Sequence, residues 1–141
     1  MYDDVLFPVS FYFLDDDDLT AHGRTVAEAF EARIHVLTMV LEDESRSDRE
    51  SHQDVFDGFV DDLDSTGAEV TAEFRGDPVT EDEVADEILE ETDGYDLVVM
   101  GHARRRQRAQ TGPTTAERVI NGSDVPTLVV PLTAPRFRGG A

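Results

Sequence analysis

The hydrophobic positions of this chain follow two alternating spacings, one typical of strands and one typical of helices. Short apolar runs, such as the one at 5–9, are too brief for helices and predict buried strands. Between these runs, stripes such as Val55, Phe59 and Leu63 follow helical spacing and predict amphipathic helices. The pattern predicts strands near 5–9, 34–40, 70–74, 97–100 and 127–131, with a helix after each of the first four.

Capping and breaking residues mark the ends of these elements. The four aspartates at 15–18 offer an N-cap for the first helix, and Gly67 ends the second. Thr80 followed by Glu83 is a capping box for the third helix. Thr114 or Thr115 can cap the last one. The segments expected to lie outside regular structure are 43–51, 76–78 and the long stretch 101–113.

Strands and helices that alternate in this way predict a Rossmann-like α/β fold with a parallel sheet and helices on both faces. The expected strand order is 3-2-1-4-5. The third strand alternates apolar and polar residues, which predicts a half-exposed edge strand. A chain of 141 residues suits one domain. We expect that domain at 1–132 and a flexible basic tail at 133–141.

The charge of the chain is strongly negative. It has 32 Asp and Glu against 12 basic residues, all of them Arg, for a net charge of −20. At molar salt the screening length falls to about 3 Å, which removes most of the self-repulsion. This composition therefore predicts a halophilic protein, with an acidic protein from an ordinary cell as the alternative. It argues against binding to nucleic acids or anionic membranes.

Several functional classes lack their signatures. Without Cys there is no disulfide scaffold, zinc finger or thiol catalyst, and no His or carboxylate spacing forms a metal site. A cation at the aspartates of 15–18 is an alternative to their capping role. No nucleophile elbow, paired catalytic carboxylates or Walker motif is present, so we expect no catalytic residues and no enzyme. The absence of a signal sequence or membrane span predicts a cytoplasmic protein.

One long loop stands out against the acidic background. It would follow the fourth strand, and it carries Arg104, Arg105, Arg106 and Arg108 within five positions. In a 3-2-1-4-5 sheet this loop faces the crevice where the strand order reverses, which is the usual ligand position. It also leads into a helix N-terminus, where backbone amides attract anions. An anionic ligand such as phosphate is one explanation, and a solvated loop paired with neighbouring carboxylates is the other.

Three parts of the sequence, taken in order, resemble the universal stress protein family. They are the opening run VLFPV at 5–9, the stretch 76–78 with YDLVVMGH at 95–102, and AERVI with VPTLVVP at 116–120 and 125–131. The resemblance covers nearly the whole length. It implies a Rossmann-like fold and a homodimer, and many members bind ATP through Gly-x-x-Gly, nine residues, then Gly-Ser or Gly-Thr.

The chain departs from that ATP motif at two places. Gly101 matches the first glycine, but Arg104 stands at the second. At strict spacing the third glycine and the hydroxyl fall on Thr114 and Thr115. Alignment on the following Ala-Glu instead places Pro113 and Thr114 there, directly after Gly112.

The resemblance also places residues of the first two strands beside a nucleotide. Ser10 stands where ATP-binding members carry an Asp near the ribose, and Met39 matches a position whose backbone lies by the adenine. Pro8 in the first strand and His102, which follows Gly101, complete the candidate cofactor-binding set.

Two functions follow from this comparison. The first is a dimeric stress-response or signalling module without an intact ATP motif. The second is a stress protein that binds ATP or AMP, with Mg²⁺, through a modified phosphate loop. A nucleotidyl-transfer enzyme is a third hypothesis, but the sequence shows no catalytic constellation for it. The apolar strand from Thr127 to Pro131 would lie at the sheet edge, where it can pair with a second copy or be covered by the tail.

Overall fold

The computed structural model describes residues 2–11, 14, 17–65, 67–103 and 114–132, with only the backbone described at 17, 18, 102, 103 and 132. In this part of the chain, strands and helices alternate. The strands are β1 (Asp4–Val9), β2 (Arg33–Leu41), β3 (Val70–Val79), β4 (Leu97–Ala103) and β5 (Thr127–Leu132). The helices are α1 (Asp17–Phe30), α2 (Arg46–Asp64), α3 (Glu81–Glu91) and α4 (Thr115–Gly122), with a 3₁₀ turn at Thr92–Gly94.

The sheet is parallel throughout and has the order β3-β2-β1-β4-β5. This confirms the predicted fold class and strand order. β1 is central and five of its six residues are buried, whereas none of the residues of β3 is fully buried. The edge position of β3 explains its alternating sequence, since only one of its faces packs against the core.

Two apolar cores hold the helices against the sheet. The first lies under α1 and α2, where Leu19 and Phe56 pack on β1 residues such as Phe7. The second lies under α3 and α4, where Ile88 and Val119 pack on the opposite face of the same strands. Adjacent residues of a strand point to opposite faces, so the continuous apolar runs of β1 and β4 serve both cores.

Side-chain caps fix three of the four helix starts. Ser45 accepts a hydrogen bond from the amide of Asp48 at the start of α2. Thr80 and Glu83 form the predicted capping box at α3, and Thr114 forms a second one at the start of α4. Each cap pairs amides that would otherwise lack acceptors in the first helical turn.

Three predicted boundaries were wrong. The polar segment 43–51 is largely helical, because Ser45 caps α2 and the helix begins at Arg46. The expected loop at 76–78 lies within β3, as an irregularity where the pairing with β2 shifts between Met39 and Leu41. β4 continues beyond residue 100 to Ala103, because β5 pairs with it over that stretch.

Candidate functional site

The central strands separate at the carboxyl edge of the sheet. β1 and β4 pair only at Val5 with Leu97 and at Leu6 with Val98. Beyond that point β1 stays paired with β2 as far as Val9, while β4 stays paired with β5 as far as its end. The two strands therefore part where the strand order reverses, which is where the sequence predicted a ligand crevice.

Predicted site residues from three strands lie at this edge. Pro8 is buried in β1, and Ser10 follows the end of that strand and is partly exposed. Met39, near the end of β2, is only 6% exposed, and its side chain belongs to the core under α3 and α4. Gly101 lies in β4 and is partly exposed. The fold thus places the carboxyl ends of β1, β2 and β4 at one edge, with Ser10 and Gly101 accessible.

The remaining predicted site residues of the loop lie outside the described residues. They are Gly112 and the arginine cluster from Arg104 to Arg108. His102 lies in β4, where only its backbone is described. Their contribution to an anion site stays a prediction.

The start of α4 is built around Thr114. Its hydroxyl accepts a hydrogen bond from the amide of Glu117 (3.2 Å) and donates one to the Glu117 carboxylate (3.0 Å). The same carboxylate oxygen accepts the amide of Thr114 at 3.2 Å. Of the two predicted alternatives, Thr114 is therefore the cap and Thr115 is the first helical residue. The amides of Thr115 and Ala116 have no acceptor within the helix and can bind an oxyanion.

Glu117 sets the electrostatics of this helix start. Its carboxylate already lies where a helix favours negative charge, so a phosphate there would meet a like charge at short range. A ligand can still bind through the first-turn amides, whereas the hydroxyl would have to turn its one proton from Glu117 to the ligand. The cost is direct repulsion by Glu117, which salt weakens but does not remove at contact distance.

One polar group at this edge was missed in the sequence. His52 on α2 is fully buried and contacts Thr38 of β2 and Glu44 of the turn before α2. A signal for it was present, because 52, 56, 59 and 63 form one helical stripe, of which the last three are apolar core residues. A histidine on that stripe has to face the core.

A pocket of about 740 Å³ lies near the amino ends of β1, β2 and β3, at the other end of the strands from the predicted site. Its lining includes Asp3, Glu28, Glu31 and Glu69, so it is strongly acidic. Arg33, which also lines it, is engaged by Asp4 at 2.8 Å, and this contact is the main reason that its pKa is raised. This pocket is therefore unsuited to an anionic ligand and is remote from the predicted site.

The described part of the chain also bears on metal binding and membrane insertion. No group of three or more His, Asp or Glu side chains there is arranged to hold a metal ion. None of its helices combines the length and apolar character needed to cross a bilayer.

The chain is similar to known proteins in both sequence and structure. Residues 1–131 match the universal stress protein family. A universal stress protein from Archaeoglobus fulgidus superimposes with a TM-score of 0.65 at 16% identity, covering 92% of this chain and 93% of that one. A universal stress protein in complex with cAMP gives 0.62 at 20% identity, covering 92% and 96%.

A further similar structure is the Archaeoglobus fulgidus universal stress protein in complex with dAMP. Its TM-score is 0.60 at 14% identity, and the match covers 91% of this chain and 97% of that one. No curated protein sequence matches the chain. The family match spans nearly the whole sequence and agrees with the strand order of the sheet, so this chain belongs to the universal stress protein family.

Proposed function

We propose that this protein is a stress-response module that binds an adenine nucleotide in the crevice between β1 and β4. The observation that carries the proposal is the separation of these strands after Leu6 and Val98. The separation leaves Ser10 and Gly101 accessible on its two sides. Structurally similar universal stress proteins have been determined with cAMP and with dAMP, which supports the same ligand class here.

The base and the phosphates would contact different parts of this edge. The end of β2 at Met39 and the residue after β1, Ser10, offer the base and ribose side. The start of α4 would offer its first-turn amides to the phosphates, together with the Thr114 hydroxyl once its proton turns from Glu117 to a phosphate oxygen. The arginines from Arg104 onward would supply direct charge in place of the second glycine. Contacts of that kind survive molar salt better than a long-range field does.

Calorimetry in molar KCl tests this proposal. We expect wild-type protein to bind ATP or AMP with Mg²⁺ present, and adenosine more weakly. Thr114→Ser keeps the hydroxyl and should bind ATP like wild type. Thr114→Val loses the hydroxyl, and its ATP affinity should fall about tenfold, which is the effect of one lost hydrogen bond to a charged group. Absence of binding heat for wild type at millimolar nucleotide would reject nucleotide binding.

A second candidate is an interaction module that uses no nucleotide. It is favoured by the Thr114 hydroxyl, which already donates to Glu117. It is also favoured by Ser10, which offers no carboxylate at the position where the resemblance implies one. Mass spectrometry of natively purified protein separates the two candidates, since stoichiometric ATP or AMP would exclude this second one.

We infer further that the protein is a homodimer formed through β5. β5 is an edge strand, and Leu128 on it is 42% exposed. The amide of Val98 donates to the carbonyl of Pro126, so the backbone groups of Thr127, Val129 and Pro131 face away from β4 by the alternation of a parallel ladder. Pro131 has no amide to leave unpaired on that side, which suits an edge strand. In the proposed dimer, the outward backbone groups of Thr127 and Val129 would pair with a second copy.

The remaining expectations complete the proposed function. We propose a salt-adapted cytoplasmic protein with no catalytic activity of its own and no nucleic-acid or membrane partner. The net charge of −20 supports salt adaptation and disfavours polyanions. The boundary at residue 132 and the tail 133–141 stay predictions, since the tail lies outside the described residues.

A further inference from the structure

A buried chain of hydrogen bonds lies directly behind the carboxyl edge of β1 and β2. The hydroxyl of Thr38 donates to the carbonyl of Val9, the last residue of β1, at 2.9 Å. Nε2 of His52 lies 2.9 Å from the same hydroxyl oxygen. Nδ1 of His52 lies 2.8 Å from one oxygen of Glu44, whose other oxygen accepts the amide of Leu41 at 2.7 Å. The side chains of His52 and Glu44 are both 0% exposed.

Proton counting fixes the direction of these bonds. A threonine hydroxyl has one proton, and that of Thr38 goes to Val9, so Nε2 of His52 has to carry a proton and donate it to Thr38. One further proton then lies between Nδ1 of His52 and Glu44. The pair is an imidazolium with a carboxylate or a neutral ring with a carboxylic acid. In both arrangements it carries no net charge, as its complete burial requires.

The His52 ring also connects the third strand and the segment after the first. Phe11, two residues beyond β1, packs on the ring with a centroid distance of 4.9 Å. Phe74 of β3 meets it edge-on at 5.1 Å. The side chain of His52 thus contacts β2, β3 and the segment that follows β1. These contacts restrain the segment after β1, which contains Ser10.

We propose that His52 and Glu44 are positioning residues for the ligand edge. They act through Thr38 on Val9 and through the Leu41 amide on the end of β2, and they set the spacing of the two strand ends that flank the base. Neither residue touches the ligand. The effect on affinity rests on the nucleotide site proposed above, whereas the effect on the segment after β1 does not.

Two variants of Thr38 separate positioning from stability. Thr38→Val keeps the volume but cannot donate to Val9 or accept from His52, and Thr38→Ser keeps the hydroxyl. We expect Thr38→Val to bind ATP about tenfold more weakly than wild type in molar KCl. The ATP affinity of Thr38→Ser should stay within about twofold of wild type. Equal affinity of the folded Thr38→Val and wild-type proteins would overturn the proposal, because a purely structural role lowers stability and leaves affinity unchanged.

A second pair of variants at Glu44 decides the matter if Thr38→Val does not fold. Glu44→Gln can accept from Leu41 and donate to Nδ1 of a neutral His52, which preserves every bond of the chain without the shared proton. Glu44→Ala breaks it at the turn, where water can reach the Leu41 amide. We expect Glu44→Gln to bind ATP within about twofold of wild type and Glu44→Ala to bind about fivefold more weakly. Equal affinity of the two Glu44 variants would overturn the proposal.

Hydrogen exchange makes the result independent of the nucleotide. If wild-type protein binds none, the proposed function fails, and the amides of Ser10 and Phe11 then decide the positioning role. Faster exchange at these amides in Thr38→Val than in Thr38→Ser, relative to the core amide of Val36, would support it. An equal ratio in the two variants would refute it.

Discussion

Gly23 of α1 and Phe7 of β1 approach so closely that a β-carbon on the glycine would lie 2.5 Å from the ring Cε2 of Phe7. The ring has no room to yield, because Phe7 is 0% exposed and packs edge-on against Phe59 with centroids 5.7 Å apart. The glycine thus allows α1 to lie close against the central strand of the sheet.

Gly23→Ala should therefore destabilise the protein. Overpacking costs about 1–3 kcal/mol, whereas alanine gains only about 1 kcal/mol of helix propensity, so we expect a net loss of about 1 kcal/mol. Gly58→Ala in α2 is the matched control, because nothing lies within 4 Å of its new β-carbon. It should gain about 0.5–1 kcal/mol. Urea unfolding measures the stability of both variants. Equal changes in unfolding free energy would show that the Phe7 contact does not exclude a β-carbon at position 23.

Replacing Arg75 with lysine should destabilise the protein although the positive charge is kept. The guanidinium bonds Glu73 at 2.6 Å, Glu87 at 2.9 Å and Glu91 at 2.7 Å, and its side chain is only 24% exposed. A single ammonium cannot hold three carboxylates in this geometry, so we expect Arg75→Lys to lose about 1–2 kcal/mol of unfolding free energy.

The control for Arg75 is an exposed arginine with one partner. Arg46 is 94% exposed and, in the part of the chain that the structure describes, forms its ion pair with Glu50 at 3.2 Å. Arg46→Lys should change stability by less than about 0.5 kcal/mol. Denaturant unfolding in low-salt and in molar KCl buffers compares the two. A loss of unfolding free energy for Arg75→Lys as small as that for Arg46→Lys would contradict the role of the Arg75 guanidinium.

The capping box of α3 makes part of the stability pH-dependent. The amide of Thr80 donates to the Glu83 carboxylate at 3.0 Å, and this bond is the main cause that lowers the pKa of Glu83. Because the pKa is lower in the folded state, the contribution is complete above the ordinary value of 4.5 and is lost as the pH falls through the folded value. The melting-temperature difference between wild type and Glu83→Gln should therefore be largest near neutral pH and shrink as the pH falls below 4.5 and through the lowered pKa of Glu83.

Glu90, near the other end of α3, provides the control for this pH dependence. It is exposed, and a carboxylate there opposes the helix dipole, so Glu90→Gln should not destabilise the protein near neutral pH. A Glu83→Gln difference that stayed constant between neutral and acid pH would contradict the capping role of the charge.

Glu117 gives a sensitive test of where a phosphate binds. Glu117→Gln keeps an acceptor for the Thr114 amide but removes the negative charge from the start of α4. Relief of about 1 kcal/mol of repulsion would raise ATP affinity about fivefold. Adenosine, which has no phosphate, should bind Glu117→Gln and wild type equally. Unchanged ATP affinity in this calorimetric comparison would place the phosphates away from α4.

The proposed β5 interface can be tested without breaking the sheet. The amide of Val129 faces away from β4, so Val129→Pro should remove an intermolecular donor and leave the β4 pairing intact. Leu128→Asp places a charge on the same exposed edge. We expect both variants to sediment as monomers and wild type as a dimer. Ile120→Asp on α4, at a side chain 49% exposed, should stay dimeric. Dimeric Val129→Pro and Leu128→Asp proteins would refute the β5 interface.

The sequence predicted the layered fold because its signals are local. Apolar runs, helical stripes and the Thr80–Glu83 box each specify one element, and the alternation of elements implies a parallel sheet. The start of α2 was missed because its first turns are polar on every side and resemble a loop. The continuation of β3 through residues 76–78 was missed because it depends on pairing with β2, which no local pattern reports.

The site was predictable only in outline. Strand order located the crevice, and the hydroxyl at Thr114 located the start of α4. The capping box of Thr114 with Glu117 and the helical stripe that buries His52 are local signals, whereas the bond from Thr38 to Val9 joins residues 29 positions apart and no local pattern reports it. Residues 104–108 and 112 lie outside the described part of the chain, so the arginine cluster stays a sequence prediction.

The two edges of this sheet differ in a way that limits how far copies can assemble. β5 offers apolar side chains and open backbone groups, whereas β3 carries Glu73, Arg75, Asp77 and Pro78 along its outer part. A filament would need the edges to join head to tail, and charge with proline on β3 prevents that joining. If copies pair through β5 as proposed, self-association therefore ends in a closed pair, and the sheet does not grow into fibres.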